Sequence, residues 1–201
     1  MKTAYHHGNL RTALVETATE LARTDGPDGV VLREVARRTG VSHNAAYRHF
    51  SDRDALLAAI ADEGMALLEK TMRDHLEAVT ETDPRRRAAA RLRATGRGYV
   101  AFALAEPGIF EVTFDGCEIH DDDRYLPPLE SAFGVLSEVL DECLAAGVIR
   151  PERREGAEIL AWAAVHGFAV LHQRGPLRHS APADREAALE KMLDMIVAGV
   201  A

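Results

Sequence analysis

Between Gly40 and Arg53 the chain reads Gly-Val-Ser-His-Asn-Ala-Ala-Tyr-Arg-His-Phe-Ser-Asp-Arg, a tight turn feeding a short helix whose polar residues have no core to serve. Just upstream, Leu32 to Thr39 forms a helix that sets Val35 and Ala36 against it, and Gly40 supplies the corner that a helix-turn-helix usually contains. Ser42 is placed to cap the second helix by accepting an otherwise unpaired amide. Ala45, Ala46 and Phe50 can face inward at helical spacing, which leaves His43, Asn44, Tyr47, Arg48 and His49 to project. That set suits DNA: Asn pairs bidentately with adenine, Arg with guanine or phosphate, and Tyr and His donate to phosphate oxygens. A surface hairpin of a helical bundle is the alternative, and it leaves the paired Tyr47 and His49 unexplained.

A net charge of −8 argues against nucleic acid until its distribution is read. Residues 1–53 hold 8 Lys+Arg against 6 Asp+Glu, whereas residues 54–201 hold 16 against 26. A weakly basic head on an acidic body concentrates phosphate attraction at one end and favours a single docking mode. With 47% hydrophobic and 28% charged residues the chain is an ordinary globular one, and wholesale disorder is excluded. No apolar run approaches the roughly 20 residues that cross a bilayer, and the polar start is unlike a signal sequence. Cys117 and Cys143 form no CxxC pair, which fits a reducing compartment, so a cytoplasmic protein without membrane association is expected.

Helical periodicity continues throughout. Leu14, Ala18, Leu21 and Ala22 mark a first helix ending near Asp25-Gly26-Pro27-Asp28-Gly29. Ser51, with Asp54 three residues on, reads as a capping box opening a long helix through Leu56, Ile60, Leu68, Met72 and Leu76. Asp83-Pro84 begins the next, in which Gly96 and Gly98 weigh against straightness. Pro107-Gly108 starts a short segment, and Leu129 through Leu144 stripes a helix that Gly147 closes. Pro151 is expected to open a helix running past Trp162 to Arg174-Gly175-Pro176, and a final helix covers about 183–198. With no alternating strand pattern and no repeat, the expectation is an all-α chain of about nine helices. It divides into a helix-turn-helix domain over 1–53 and a helical effector-binding and dimerisation domain over 54–201.

Tyr5-His6-His7-Gly8-Asn9-Leu10-Arg11, Leu32-Arg33-Glu34-Val35-Ala36, Val41-Ser42 and Tyr47-Arg48-His49-Phe50 together resemble the amino-terminal domain of the TetR family of bacterial transcriptional regulators. Trp162-Ala163-Ala164-Val165-His166-Gly167 resembles the Trp-His-Gly signature of one type of TetR carboxy-terminal domain. The resemblance implies that His43 and Asn44 read bases, that Tyr47, His49 and Arg53 touch phosphates, and that Arg33 reaches a base from the preceding helix. Ser42, Ala45 and Arg48 complete the expected DNA-facing set. Two positions depart from the pattern: Val31 stands where many relatives carry a phosphate-binding Thr or Ser, and Ala45 replaces a common hydroxyl residue. The resemblance further implies a homodimeric repressor that binds a near-palindromic double-stranded operator and is released by a small-molecule effector.

In the body, Tyr99, Phe102, Phe110, Phe114, Phe133, Trp162 and His166 fit the mostly apolar walls of an effector cavity, and they fit a plain core equally. His166 shares a helix face with Trp162, which suits a ligand contact or a satisfied core histidine alike. The small residues around Ala163 and Gly167, with a stripe at Leu189, Met192 and Ile196, are the expected two-fold dimer seam. The acidic stretch Asp121-Asp122-Asp123, near Glu118 and His120, has the ligand types of a hard metal but reads as solvated. No metal site and no cofactor are expected. No nucleophile sits in a catalytic setting and no glycine-rich phosphate loop is present, so an enzyme is not expected either.

Overall fold

The computed structural model describes residues 10–115 and 131–200. The Tyr5–Asn9 part of the amino-terminal signature, Cys117, the acidic stretch over 118–123 and Leu129 lie outside the described residues. Nine α-helices and one 3-10 turn make up the fold among the described residues, with no strand. The helices are α1 Leu10–Gly29, α2 Leu32–Thr39, α3 His43–Tyr47, α4 Arg53–Glu77, α5 Pro84–Ala105, α6 Pro107–Asp115, α7 Ala132–Ala145, α8 Ala157–Gln173 and α9 Pro182–Val200. They form two compact units whose border falls inside α4, between Met65 and Ala66. The first unit also takes in α6, from Glu106 onward, so it is built from two separated stretches of chain rather than from residues 1–53 alone.

In the first unit, α1 buries Leu14, Val15, Ala18, Leu21 and Ala22, a stripe with the helical period. Gly26 breaks the helical path with φ of 69°, which lets the chain turn before Val30 enters the core. α6 lies so close on α1 that a Cβ on Gly108 would collide with the carbonyl oxygen of Ala22. Arg23 reinforces the pair by donating to Glu106 at 2.8 Å. The cap of α4 differs from expectation: the Ala55 amide donates to Asp52 Oδ1 at 2.8 Å, and the Ser51 hydroxyl donates to the same carboxylate. Because α4 starts at Arg53, Asp52 occupies the capping position and Ser51 falls one residue too early. These bonds, the amide of Ala55 first, hold the Asp52 carboxyl below the ordinary carboxylate range.

In the second unit α5 runs unbroken through Gly96 and Gly98. A Cβ on Gly98 would stand 2.7 Å from the Cα of Met72, so the glycine marks where α4 and α5 touch backbone to backbone. The contact offsets the propensity cost of about 1 kcal/mol. Ser131 caps α7, whose Phe133, Leu136, Val139 and Leu140 are buried. Pro151 does not open the long helix. It begins only the 3-10 turn Pro151–Arg153, after which Gly156, with φ of 74°, redirects the chain and α8 starts at Ala157. A left-handed residue cannot continue a right-handed helix, so the helix must restart beyond it.

Candidate nucleic-acid interface and cavity

α2 and α3 meet at Gly40, whose φ of 76° and ψ of 26° turn the chain while the amide of Val41 closes onto the carbonyl of Ala36 at 3.0 Å. Ser42 then caps α3, its hydroxyl accepting from the Ala45 amide at 3.2 Å. Ala46 and Phe50 are buried and fix which face of α3 turns inward, and the Arg11 guanidinium lies 5.0 Å from the centre of the Phe50 ring. Asn44, Tyr47, Arg48 and His49 are exposed on the opposite side, with Ala45 half-buried beside them. The Tyr47 and His43 rings meet edge-on at 4.3 Å, which steadies the tyrosine. His43 Nδ1 is buried and has no hydrogen-bond partner.

On α2, Arg33 is exposed, while Arg37 and Arg38 both donate to the carboxylate of Glu34 at 2.7 Å. The two guanidinium bonds, Arg37 first, hold the Glu34 carboxyl down at about 2. Arg33 is therefore the α2 arginine that stands outside this local fork. Arg53, expected at the phosphates, has a different set of partners. Its Nε donates to the carbonyl of Val30 at 3.0 Å and its Nη2 to that of Pro27 at 2.6 Å, tying the start of α4 to the last turn of α1 and the residue that follows it.

The seven aromatic and histidine residues expected at a cavity do not form one group. Phe110 and Phe114 belong to the first unit, where their rings pair at 4.8 Å. In the second unit Tyr99 and Trp162 line a cavity together with Met72, Leu92, Thr95, Gly96, Leu136, Ala161, Val165, Leu193 and Ile196. Its open space is about 20 Å³, room for about one water molecule. Behind the wall, Tyr99 Oη and His166 Nδ1 are 2.8 Å apart, and Trp162 stands 5.3 Å from the Tyr99 ring and 5.7 Å from that of Phe133. Burial raises the Tyr99 phenol well above its ordinary range, so its hydroxyl keeps its proton. Phe102 is buried in the same unit but does not line the cavity. The aliphatic wall escaped sequence reading because it converges from five helices, and a single stripe carries no mark of such a meeting.

Residues 14–60 match the family described as bacterial regulatory proteins, tetR family, and residues 92–196 match the tetracyclin repressor-like, C-terminal domain. The chain belongs to the TetR family. It is thus a DNA-binding, helix-turn-helix transcriptional regulator by class. This TetR-family chain is 28% identical over 164 residues to the uncharacterized HTH-type transcriptional regulator YobS of Bacillus subtilis, covering 82% of the chain and 79% of that protein. Among solved structures, a protein of unknown function from Rhodococcus sp. RHA1 is 30% identical with full coverage of both chains and a TM-score of 0.77. A single-residue variant of TetR from Acinetobacter baumannii AYE, solved in complex with minocycline, shares the fold at 22% identity, with 97% and 96% coverage and a TM-score of 0.65.

The five residues of the expected seam are placed unequally in this TetR-family chain. Ala163 is exposed, and Gly167 has nothing within 4 Å of where a Cβ would stand. Leu189, in contrast, is buried within its own unit, Met192 is half-buried, and Ile196 is half-buried in the cavity wall. Two residues outside the expected set carry the most exposed apolar surface: Leu160 on α8 at 72% and Met195 on α9 at 74%. No described helix is long and apolar enough to cross a membrane.

Proposed function

We propose that the chain acts as a homodimeric repressor whose two α3 helices enter the major groove of a near-palindromic operator, and that a small molecule held in the second unit releases it. The observation that carries the reading is the exposed face of α3. Buried Ala46 and Phe50 orient it, and it presents Asn44, Tyr47, Arg48 and His49 outward. Asn44 and His43 in the first turn read base edges, Tyr47 and His49 grip phosphates, and Arg33 reaches in from α2. Ser42 contributes by capping, and Ala45 offers a methyl to the groove. Exposed Leu160, Ala163 and Leu171 on α8, with half-buried Gly167 among them and exposed Met195 on α9, supply the self-complementary apolar surface that a two-fold contact needs. Such a dimer sets the recognition helices one DNA turn apart, about 35 Å.

Release follows from linkage. An effector that prefers a form with wrongly spaced recognition helices drains the DNA-bound population by its differential affinity, and one with equal affinity for both forms does nothing. The test is selection of bound fragments from genomic DNA, which should return sites sharing two inverted half-sites. On such a site Asn44→Ala should cost about 1–3 kcal/mol and leave binding to random DNA nearly unchanged. Fragments with no common half-site, or an unchanged ratio of specific to random binding in the variant, would replace this reading with sequence-indifferent DNA binding.

A further inference from the structure

The lining of the second unit's cavity is informative about what can enter it. Its described lining residues are apolar apart from Thr95 and Tyr99, and none carries a charge. The Thr95 hydroxyl donates to the Leu92 carbonyl of its own helix at 2.7 Å, and Tyr99 meets His166, so both hydroxyls already have partners. An ionised guest would lose its hydration there with no counter-charge in the wall, the costliest exchange a protein interior imposes. An apolar ring would lose nothing comparable, and Trp162 and Tyr99 offer it an edge-on pair of rings. The present opening of about 20 Å³ is too small for a ring, which needs a cavity of roughly 150 Å³. Part of the wall must therefore yield. Met72 is a flexible thioether, and Ile196 is a half-buried residue of the wall near the end of α9.

We propose that the cavity admits a small, uncharged, largely apolar molecule of about one ring with at most one hydroxyl or carbonyl, and that Ile196 and Met72 move aside to make room. The assignment rests on the reading of the chain as an effector-released regulator, but its test does not need DNA. Trp162 is the chain's one tryptophan and stands in the wall, so its emission reports occupancy directly.

Toluene, benzyl alcohol and benzoate are titrated at neutral pH against the full chain, following Trp162 emission and the melting temperature. Toluene and benzyl alcohol should both bind, and benzoate should bind about 100-fold more weakly or worse. Ile196→Ala, which removes part of the wall, should tighten the two neutral probes roughly tenfold, and Ala161→Leu, which fills the space, should abolish both responses. Benzoate binding as tightly as benzyl alcohol would overturn the proposal. So would unresponsive Trp162 emission with all three probes in both the native chain and Ile196→Ala. Operator binding by the same sample separates the two readings. Neutral rings that bind a chain with no operator affinity would remove the regulator reading and leave the cavity assignment standing, whereas a chain that binds operator but no ring would do the reverse.

Discussion

Arg53 holds together two parts of the chain that sequence places far apart: its guanidinium reaches Val30 and Pro27, 23 and 26 residues earlier. A side chain committed to two carbonyls supports the end of α1 before it can serve a phosphate. Arg53→Ala should therefore lower the free energy of unfolding by about 1–2 kcal/mol in urea titration while the dependence of DNA affinity on salt keeps its slope. A slope reduced by about one, with stability unchanged, would return Arg53 to the phosphate contacts. The same contrast separates what could be read from the sequence. Ser42 and the inward Ala46 were legible because their partners lie within one helical turn. Arg53's bonds depend on geometry that spacing does not encode, whereas the fork that Glu34 makes with Arg37 and Arg38 has the i,i+3 and i,i+4 spacing of neighbours on one helix. Asp52 shows how narrow the margin is, since moving the start of α4 by one residue transfers the cap from Ser51 to its neighbour.

Helix ends were the least legible elements, and glycine decides several of them. Pro151 marks a permitted helix start, yet Gly156 enters the left-handed region and delays α8 to Ala157. At Gly40 the consequence is measurable, because nothing lies within 4 Å of where a Cβ would be placed and φ is 76°. Gly40→Ala should cost about 1 kcal/mol from backbone strain alone, read from thermal unfolding, and Gly40→Asn should recover much of it. A loss near zero for the alanine variant would mean that the α2–α3 corner can relax without φ above zero. The existence of the helices was legible throughout, since each carries an apolar stripe of the right period. What each stripe faces was not. On α9, Leu189 serves the core, Leu193 and Ile196 the cavity wall and Met195 the exterior, duties that look alike as letters.

At the scale of the molecule, the exposed Leu160 and Met195 make the clearest prediction, because neither holds its own chain together. Leu160→Asp combined with Met195→Asp should leave the melting transition of the isolated chain nearly intact, convert the proposed dimer to monomer in sedimentation and abolish operator binding despite an untouched α3. An unchanged dimer mass would remove this face from the interface. Ile196→Asp is the poorer probe, since it places a charge in the cavity wall and confounds folding with assembly. The family was legible from short signatures at both ends of the chain, whereas the composition of the first unit was not, because α6 joins it from beyond α5. The close seat of Gly108 on Ala22 also sets a schedule for the ribosome. The 77 residues that separate Gly29 from Pro107 take roughly 4 to 15 s to translate at 5–20 residues per second. For that interval the nascent α1 shows the strip of surface reserved for α6 to whatever else is in reach, so the head of this regulator is finished only after the whole of α5 has been made.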